Sequence, residues 1–406
     1  MPNRGADRVL ARLFVTPRMM ASRPISNCYP AGETRRPRLG GDRAGGAGTL
    51  GRATLGRGTL GGGTAALALI LAMAASWLVV VAAPAHAGPW RIEALALEGP
   101  LTRIHPGSDA AGQKPALLAG GRWFAISACG ESVCLVPGTA PDERISAAGG
   151  LPDGAVARGT GLGVVRAWYG QPTRRYRHGV LGDDIEAGAL AAASASGKRL
   201  DHILGSGYVF EDITPRLSDL DGDGKAEIVA IRTDVTAGAS LAVYGERGGK
   251  LRRLAATAAI GRPNRWLNVA GIADFDGDGR PEIAIVKTPH IGGKLEFWSY
   301  RNDGGAGRLV RRGTMAGFSN HFIGSRNLSL STVFDADGDG IADLAVPDTA
   351  RTALRLVSLR EGKLSQTGLI ALPSPLTQNI ALVRGPGGPI LVCGLANGAL
   401  IAISKR

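Results

Sequence analysis

The sequence predicts an all-β fold, a β-propeller built from four-stranded blades. Three observations carry this expectation. Glycine is abundant, 61 of 406 residues, which suits a chain made of many turns. An acidic nine-residue loop occurs three times, at 219–227, 274–282 and 335–343. Each copy is followed by a short apolar run, IVAI, IAIV or LAVP, that reads as a strand.

Composition narrows the function. A hydrophobic content of 44% supports a real core, although aromatic residues make up only 5%. The formal charge of +13 would suggest a nucleic-acid partner, but it is unevenly spread. Residues 1–64 hold 11 Arg against 3 acidic groups, and residues 65–87 hold no Lys, Arg, Asp or Glu, which leaves 88–406 at only +5. A mildly basic body of that size is no electrostatic footprint for nucleic acid.

The first 87 residues read as a leader rather than as part of the fold. Residues 1–64 are rich in Arg, Gly, Pro and Thr without apolar periodicity, so disorder is expected there. A later start codon, at Met19 or Met20, would shorten this stretch. Residues 65–83 form an uncharged run of 19 that follows Arg52 and Arg57. Pro84 and the triplet Ala85-His86-Ala87 come next. This order matches a secretory signal cleaved after Ala87, leaving Gly88 as the new N-terminus. The alternative is an uncleaved anchor, since such a run can just span a bilayer. Both readings put the body outside the cytoplasm, periplasmic or secreted, or held at the inner membrane. Cys129 and Cys134, in ISACGESVCLV, could close a hairpin disulfide in such a compartment. Cys393, in PILVCGLA, reads as a buried thiol.

The repeated loop carries the chemistry. Its carboxylates are Asp219, Asp221, Asp223 and Glu227; Asp274, Asp276, Asp278 and Glu282; and Asp335, Asp337, Asp339 and Asp343. They occupy positions one, three, five and nine. Gathered together without a cation, such groups repel. Calcium takes roughly six to eight hard oxygens at flexible angles, and magnesium is stricter and keeps its waters. The backbone carbonyl at position seven (Lys225, Arg280 or Ile341) is a natural further donor, which frees that side chain to be of any type. Gly222, Gly224 and their counterparts let the chain curl around the ion. An EF-hand is rejected: position twelve is Ala230, Ile285 or Val346 instead of Glu, and the flanks are strands. About three bound calcium ions are expected on this motif.

Around each loop the same strand rhythm recurs. One strand follows it (226–231, 281–286, 342–346), then a turn, then a second strand (241–245, 294–300, 354–359), then a tight turn and a third. A further strand precedes the loop, at 267–273 and 329–334. Four antiparallel strands in about 60 residues is the scale of a propeller blade. Weaker copies at 115–135, 151–170, 181–204 and 385–404 bring the count to seven, with six or eight also open. The strand at 90–98 is expected to pair with the last blade and so remove two exposed edges. The propeller would thus span 88–406.

The three DxDGDGxx(D/E) loops with their trailing apolar strands resemble the FG-GAP repeats of the integrin α-chain propeller and the related VCBS-type repeats of bacterial surface proteins. The resemblance implies that calcium is structural and braces the blade, and that ligands meet another surface.

Catalytic signals are few. After the leader the histidines are His105, His178, His202, His290 and His321, and none stands in a zinc-like spacing. No G-x-S-x-G elbow is present. His178, in RRYRHGVLGDD, is the most suggestive, and its neighbours Arg174, Arg175 and Arg177 could meet an anion. No catalytic residue is assigned. The expected function is that of an exported calcium-binding module that adheres to a protein or glycan, with no nucleic-acid partner and with membrane contact only through an uncleaved 65–83 segment. A polysaccharide-acting propeller enzyme and an assembly scaffold are the alternatives.

Overall fold

The computed structural model describes residues 89–406 except 109–111, 143–148, 303 and 305. The expected leader 1–64, the apolar segment 65–87 and the Ala87–Gly88 cleavage point lie outside the described residues. Every regular element described is a β-strand, and the all-β propeller class is the one observed.

The strands group in fours, each antiparallel to the next. The first unit is Leu101–His105, Ala116–Ala119, Arg122–Cys129 and Ser132–Pro137. The second is Ala157–Arg158, Leu162–Thr173, Glu186–Ser194 and Arg199–Ile203. The third is Arg216–Ser218, Lys225–Asp234, Gly238–Arg247 and Lys250–Ala256. The fourth is Leu267–Ala273, Glu282–Lys287, Lys294–Asn302 and Gly307–Ala316, and the fifth is Thr332–Phe334, Asp343–Pro347, Ala353–Arg360 and Lys363–Ala371. The sixth combines Ala381–Gly385, Gly388–Gly394 and Leu400–Lys405 with Trp90–Leu95 from the start of the body. Trp90 pairs with Lys405 and Leu95 with Leu400, so the predicted closure between the two ends of the body is present.

One grouping differs from expectation. Residues 151–170 and 181–204 were counted as separate units. Instead, Leu162–Thr173 pairs with Glu186–Ser194 from Val164↔Ser194 to Thr173↔Glu186, so the two segments are halves of one sheet. The described strands therefore fall into six units. The second and third units also share hydrogen bonds: Tyr208–Phe210 touches both, and Lys225 pairs in parallel with Leu162.

Burial explains why the middle strands are apolar on both faces. In Lys225–Asp234 the run Glu227–Ile231 is wholly buried, whereas the outer Gly307–Ala316 strand has no buried residue. Side chains alternate across each sheet, and both faces of a middle strand are covered because neighbouring units pack face to face. The clusters show the order of packing. Tyr169 and Leu190 join Ile228 and Tyr244; Val229 and Leu241 join Ile283 and Tyr300; Phe275 and Phe297 join Leu344 and Val357. Leu354 and Ile370 then join Leu391 and Ile403, and Val383 and Val392 join Ile104 and Phe124. From the second unit to the sixth, each unit thus packs on the next, and the sixth packs on the first.

Three acidic loops and a buried acid–histidine cluster

Each acidic loop joins the first and second strands of its unit, in units three, four and five. The position-one carboxylate organises the turn. Asp219 accepts the N–H groups of Gly222 (2.8 Å), Asp223 (3.1 Å) and Gly224 (2.9 Å). Asp274 does the same with Gly277, Asp278 and Gly279, and Asp335 with Gly338 and Gly340. The two glycines of every loop sit at positive φ, 77° and 80° for Gly222 and Gly224. A Cβ at Gly222 or Gly224 would meet no neighbouring atom, so the requirement for glycine is conformational rather than steric.

The acid at position nine is buried: Glu227 is 1% exposed, and Glu282 and Asp343 are 0%. Each accepts the N–H of its own position two, from Leu220 (3.0 Å), Phe275 (3.2 Å) or Ala336 (2.9 Å), and so ties the loop to the following strand. Burial pushes Glu227 up to about 7; the Leu220 N–H opposes this shift, while the charges of Asp221 and Asp223 add to it. Burial likewise raises Glu282 and Asp343.

Three carboxylates converge in each loop, with ligand oxygens within 4.8 Å of one another. The sets are Asp219, Asp221 and Glu227; Asp274, Asp276 and Glu282; and Asp335, Asp337 and Asp339. The position-five acid of every loop accepts the N–H of position seven, Asp223 from Lys225 (2.8 Å), Asp278 from Arg280 (2.9 Å) and Asp339 from Ile341 (2.8 Å). Asp343 is one methylene shorter than Glu, and Ser358 and Arg360 hold it. At position seven, the Ile341 carbonyl faces Arg360 at 3.4 Å.

Sequence reading missed a set of cations at the ends of third strands. Arg360 binds both oxygens of Asp339 (3.0 and 3.1 Å), Asp343 (3.2 Å) and the Phe275 carbonyl of the preceding unit's loop (2.9 Å). Arg301 binds Asp278 at 3.0 Å, and from the fourth strand Arg312 binds Asp276 at 2.9 Å. Arg247, the counterpart in unit three, stands 3.9 Å from both Asp221 and Glu227. Third-strand ends also reach the loop of the unit before: Asn302 donates to Asp221 (3.1 Å) and Lys405 to the Asp337 carbonyl (3.2 Å). The acidic loops therefore stand at the joints between units. The available signal was positional, since Arg247 and Arg360 each end a third strand and Arg301 stands one residue before such an end.

A second cluster gathers on loops that join second to third strands, or one unit to the next. In an antiparallel meander these connections leave the sheet at the end opposite the acidic loops. His178, flagged in the sequence, hydrogen-bonds the buried Glu211 through Nδ1. Glu211 also accepts from Thr233 Oγ1 at 2.7 Å. Glu186 is buried beside them; burial and then the Glu211 charge push it up to about 10, so it is neutral at pH 7. Trp266 donates to the Glu211 carbonyl (2.8 Å) and stacks on His290. His321 Nε2 lies 2.9 Å from the Ser325 carbonyl and therefore carries the proton; its Nδ1 then accepts from His290 Nε2 at 2.9 Å. Burial lowers His290 to about 4 and His321 to about 3, so both rings are neutral at pH 7. In the sequence Glu186 stands with Asp183 and Asp184 as the acids of a weak repeat, and Glu211 stands beside Asp212, but neither pattern pointed to His178.

Elsewhere, Cys129 and Cys134 form a disulfide between adjacent strands, with Cα atoms 5.6 Å apart, and Cys393 is a buried free thiol.

The span from the first loop through the strand after the second, residues 219–285, matches the family model of the FG-GAP-like repeat. This stretch is similar to the FG-GAP-like repeat. The third loop, 335–343, repeats its pattern outside the matched span. No curated protein matches the chain. Among solved structures, BBS1N in complex with ARL6DN is similar at 11% identity and a TM-score of 0.41, over 78% of this chain and 97% of that one. The exotype rhamnogalacturonan lyase YesX is similar at 16% identity and a TM-score of 0.35, over 70% of this chain and 61% of that one. The rhamnogalacturonan lyase PL11 of Bacillus licheniformis is similar at 18% identity and a TM-score of 0.38, over 70% of this chain and 54% of that one. The chain thus spans less than two thirds of either lyase.

Proposed function

We propose that this protein is an exported propeller module, braced by calcium at its FG-GAP-like loops, that binds a protein or glycan partner outside the cytoplasm. The observation that carries this reading is the convergence of three carboxylates in each of three equivalent loops. The donors are all hard oxygens, and burial already raises the position-nine acids, so a cation relieves both repulsion and desolvation there. Calcium would be held by Asp219, Asp221 and Glu227, by Asp274, Asp276 and Glu282, and by Asp335, Asp337 and Asp339, with the carbonyls of Lys225, Arg280 and Ile341 as further donors. Bound there, calcium supplies a cross-link and no reaction chemistry. The apolar 65–87 segment motivates export, with cleavage after Ala87 or retention as an anchor. Melting in calcium, magnesium and EGTA tests the bracing. Calcium at a hundredfold excess over its dissociation constant should add roughly 2.7 kcal/mol per site. Equal melting temperatures in calcium and EGTA would sink the proposal.

A polysaccharide-acting enzyme is the second reading, favoured by the pairing of His178 with Glu211 beside a neutral Glu186. Turnover of a polysaccharide that disappears in His178→Ala would establish it in place of the binding module.

A further inference from the structure

The outer strands of units two and three, Arg199–Ile203 and Lys250–Ala256, border a groove of about 640 Å³ whose lining includes Arg232 and Tyr208. Its charge is one-sided. Arg199 engages both oxygens of Asp201 at 3.0–3.1 Å, which cancels that pair. Arg232, Lys250, Arg252 and Arg253 form no ion pair with a carboxylate among the described residues. At the rim, Lys198 donates to the Gly249 carbonyl (3.2 Å), adding a further cation.

The groove also has more donors than acceptors. The Leu251 carbonyl accepts from His202 Nδ1 at 3.3 Å. The Tyr244 ring packs against His202 at 4.9 Å, and its hydroxyl is fully buried without a partner. Burial lowers the pKa of His202, and Arg253 and Arg232 lower it further; the same two guanidinium groups act on Tyr244. Arg232 and Arg253 both line the groove with His202. A ligand that satisfies them must bring several acceptors and negative charge.

We infer that this inter-blade groove binds an acidic oligosaccharide, a short chain of sugars bearing carboxylate or sulfate groups. The inference rests on the glycan branch of the proposed function. Arg253 and Arg232 supply forked donors for the acidic groups, and Lys198 supplies a point charge at the rim. Nucleic acid fits less well, because Arg232 already covers one face of the Tyr208 ring at 3.5 Å, where a base would stack. An acidic protein fits less well too, because a charged groove of this volume suits a ligand of a few rings rather than a flat interface of about 800 Å² per partner.

The test is calorimetric titration of the full body, in calcium and in EGTA, with oligogalacturonate, heparin-derived oligosaccharide, neutral dextran, single-stranded DNA and poly-glutamate. One or both acidic oligosaccharides should bind and dextran should not, and the arm that binds distinguishes carboxylate from sulfate. Affinity should fall with added salt. Arg253→Gln and Arg232→Gln, each with an unchanged melting temperature, should each raise Kd about tenfold, the loss of one charge-assisted contact. Should a variant melt lower, the same ratio is read from Lys198→Gln, whose side chain is exposed at the rim. Tighter binding of DNA or poly-glutamate, equal binding of dextran, or unchanged Kd in all three variants overturns the inference. If no acidic oligosaccharide binds while calcium still raises the melting temperature, the groove proposal falls and the calcium-braced module stands.

Discussion

Arg360 shows how one side chain decides what a loop needs. Its guanidinium meets two carboxylates and a carbonyl from the neighbouring unit, and its side chain is only 26% exposed. It supplies part of the positive charge that a metal would otherwise bring. Arg247, with both carboxylates at 3.9 Å, supplies far less. In EGTA, Arg360→Met should therefore cost about 2–3 kcal/mol, as expected when a largely buried charged group loses its partner. Arg247→Met should cost less than about 1 kcal/mol. Urea unfolding of both variants checks this, and equal costs would show that the loops do not differ in this way. The loop carboxylates were legible in the sequence because three copies share one spacing, whereas an arginine at a strand end looks like any solvated charge. His178 was legible as a titratable group among arginines. Its partner Glu211 was not, because the pairing spans 33 positions and depends on two loops meeting.

At the scale of the element, the strand Trp90–Leu95 is the most consequential. It covers the edge of Leu400–Lys405, which would otherwise present unpaired backbone groups. Trp90 is 5% exposed and meets Phe334 edge-on, with ring centroids 6.1 Å apart. Trp90→Ala should cost about 3–5 kcal/mol by opening a cavity. Chemical denaturation measures this, and a loss below 1 kcal/mol would mean that the closing strand contributes little. This strand was readable from its position before the first unit and from the need to protect an edge. The unity of 151–170 with 181–204 was not. The polar, arginine-rich stretch between them has the composition of a boundary, yet it only links two paired strands. Strand pairing is decided by register and packing across the sheet, and composition does not report it.

At the scale of the whole molecule, two buried groups set opposing pH dependences. His290 and His321 titrate near pH 6.5 when unfolded but are held at about 4 and 3 when folded. The unfolded chain then binds more protons below about 6.5, so stability falls as pH drops through that range. Glu186 has the opposite sign. Its folded value of about 10 lies above the unfolded one, so stability falls as pH rises above about 4.5. One such proton corresponds to a slope of about 1.4 kcal/mol per pH unit. Glu186→Gln keeps the shape and removes the titration, so its stability should exceed that of the parent increasingly from pH 6 to 9. Melting curves across that range decide the point, and parallel profiles would place the Glu186 titration at its ordinary value.

The central claim is that the three loops are calcium sites at the joints between propeller units. Calcium titration by calorimetry, together with direct metal analysis of the dialysed protein, tests it most directly. About three ions per chain should bind in the micromolar to millimolar range of extracellular modules. Asp276→Ala, which removes one member of the second set, should reduce the count by about one and loosen the fourth unit most. No calcium uptake at several millimolar, or an unchanged count in Asp276→Ala, would contradict it.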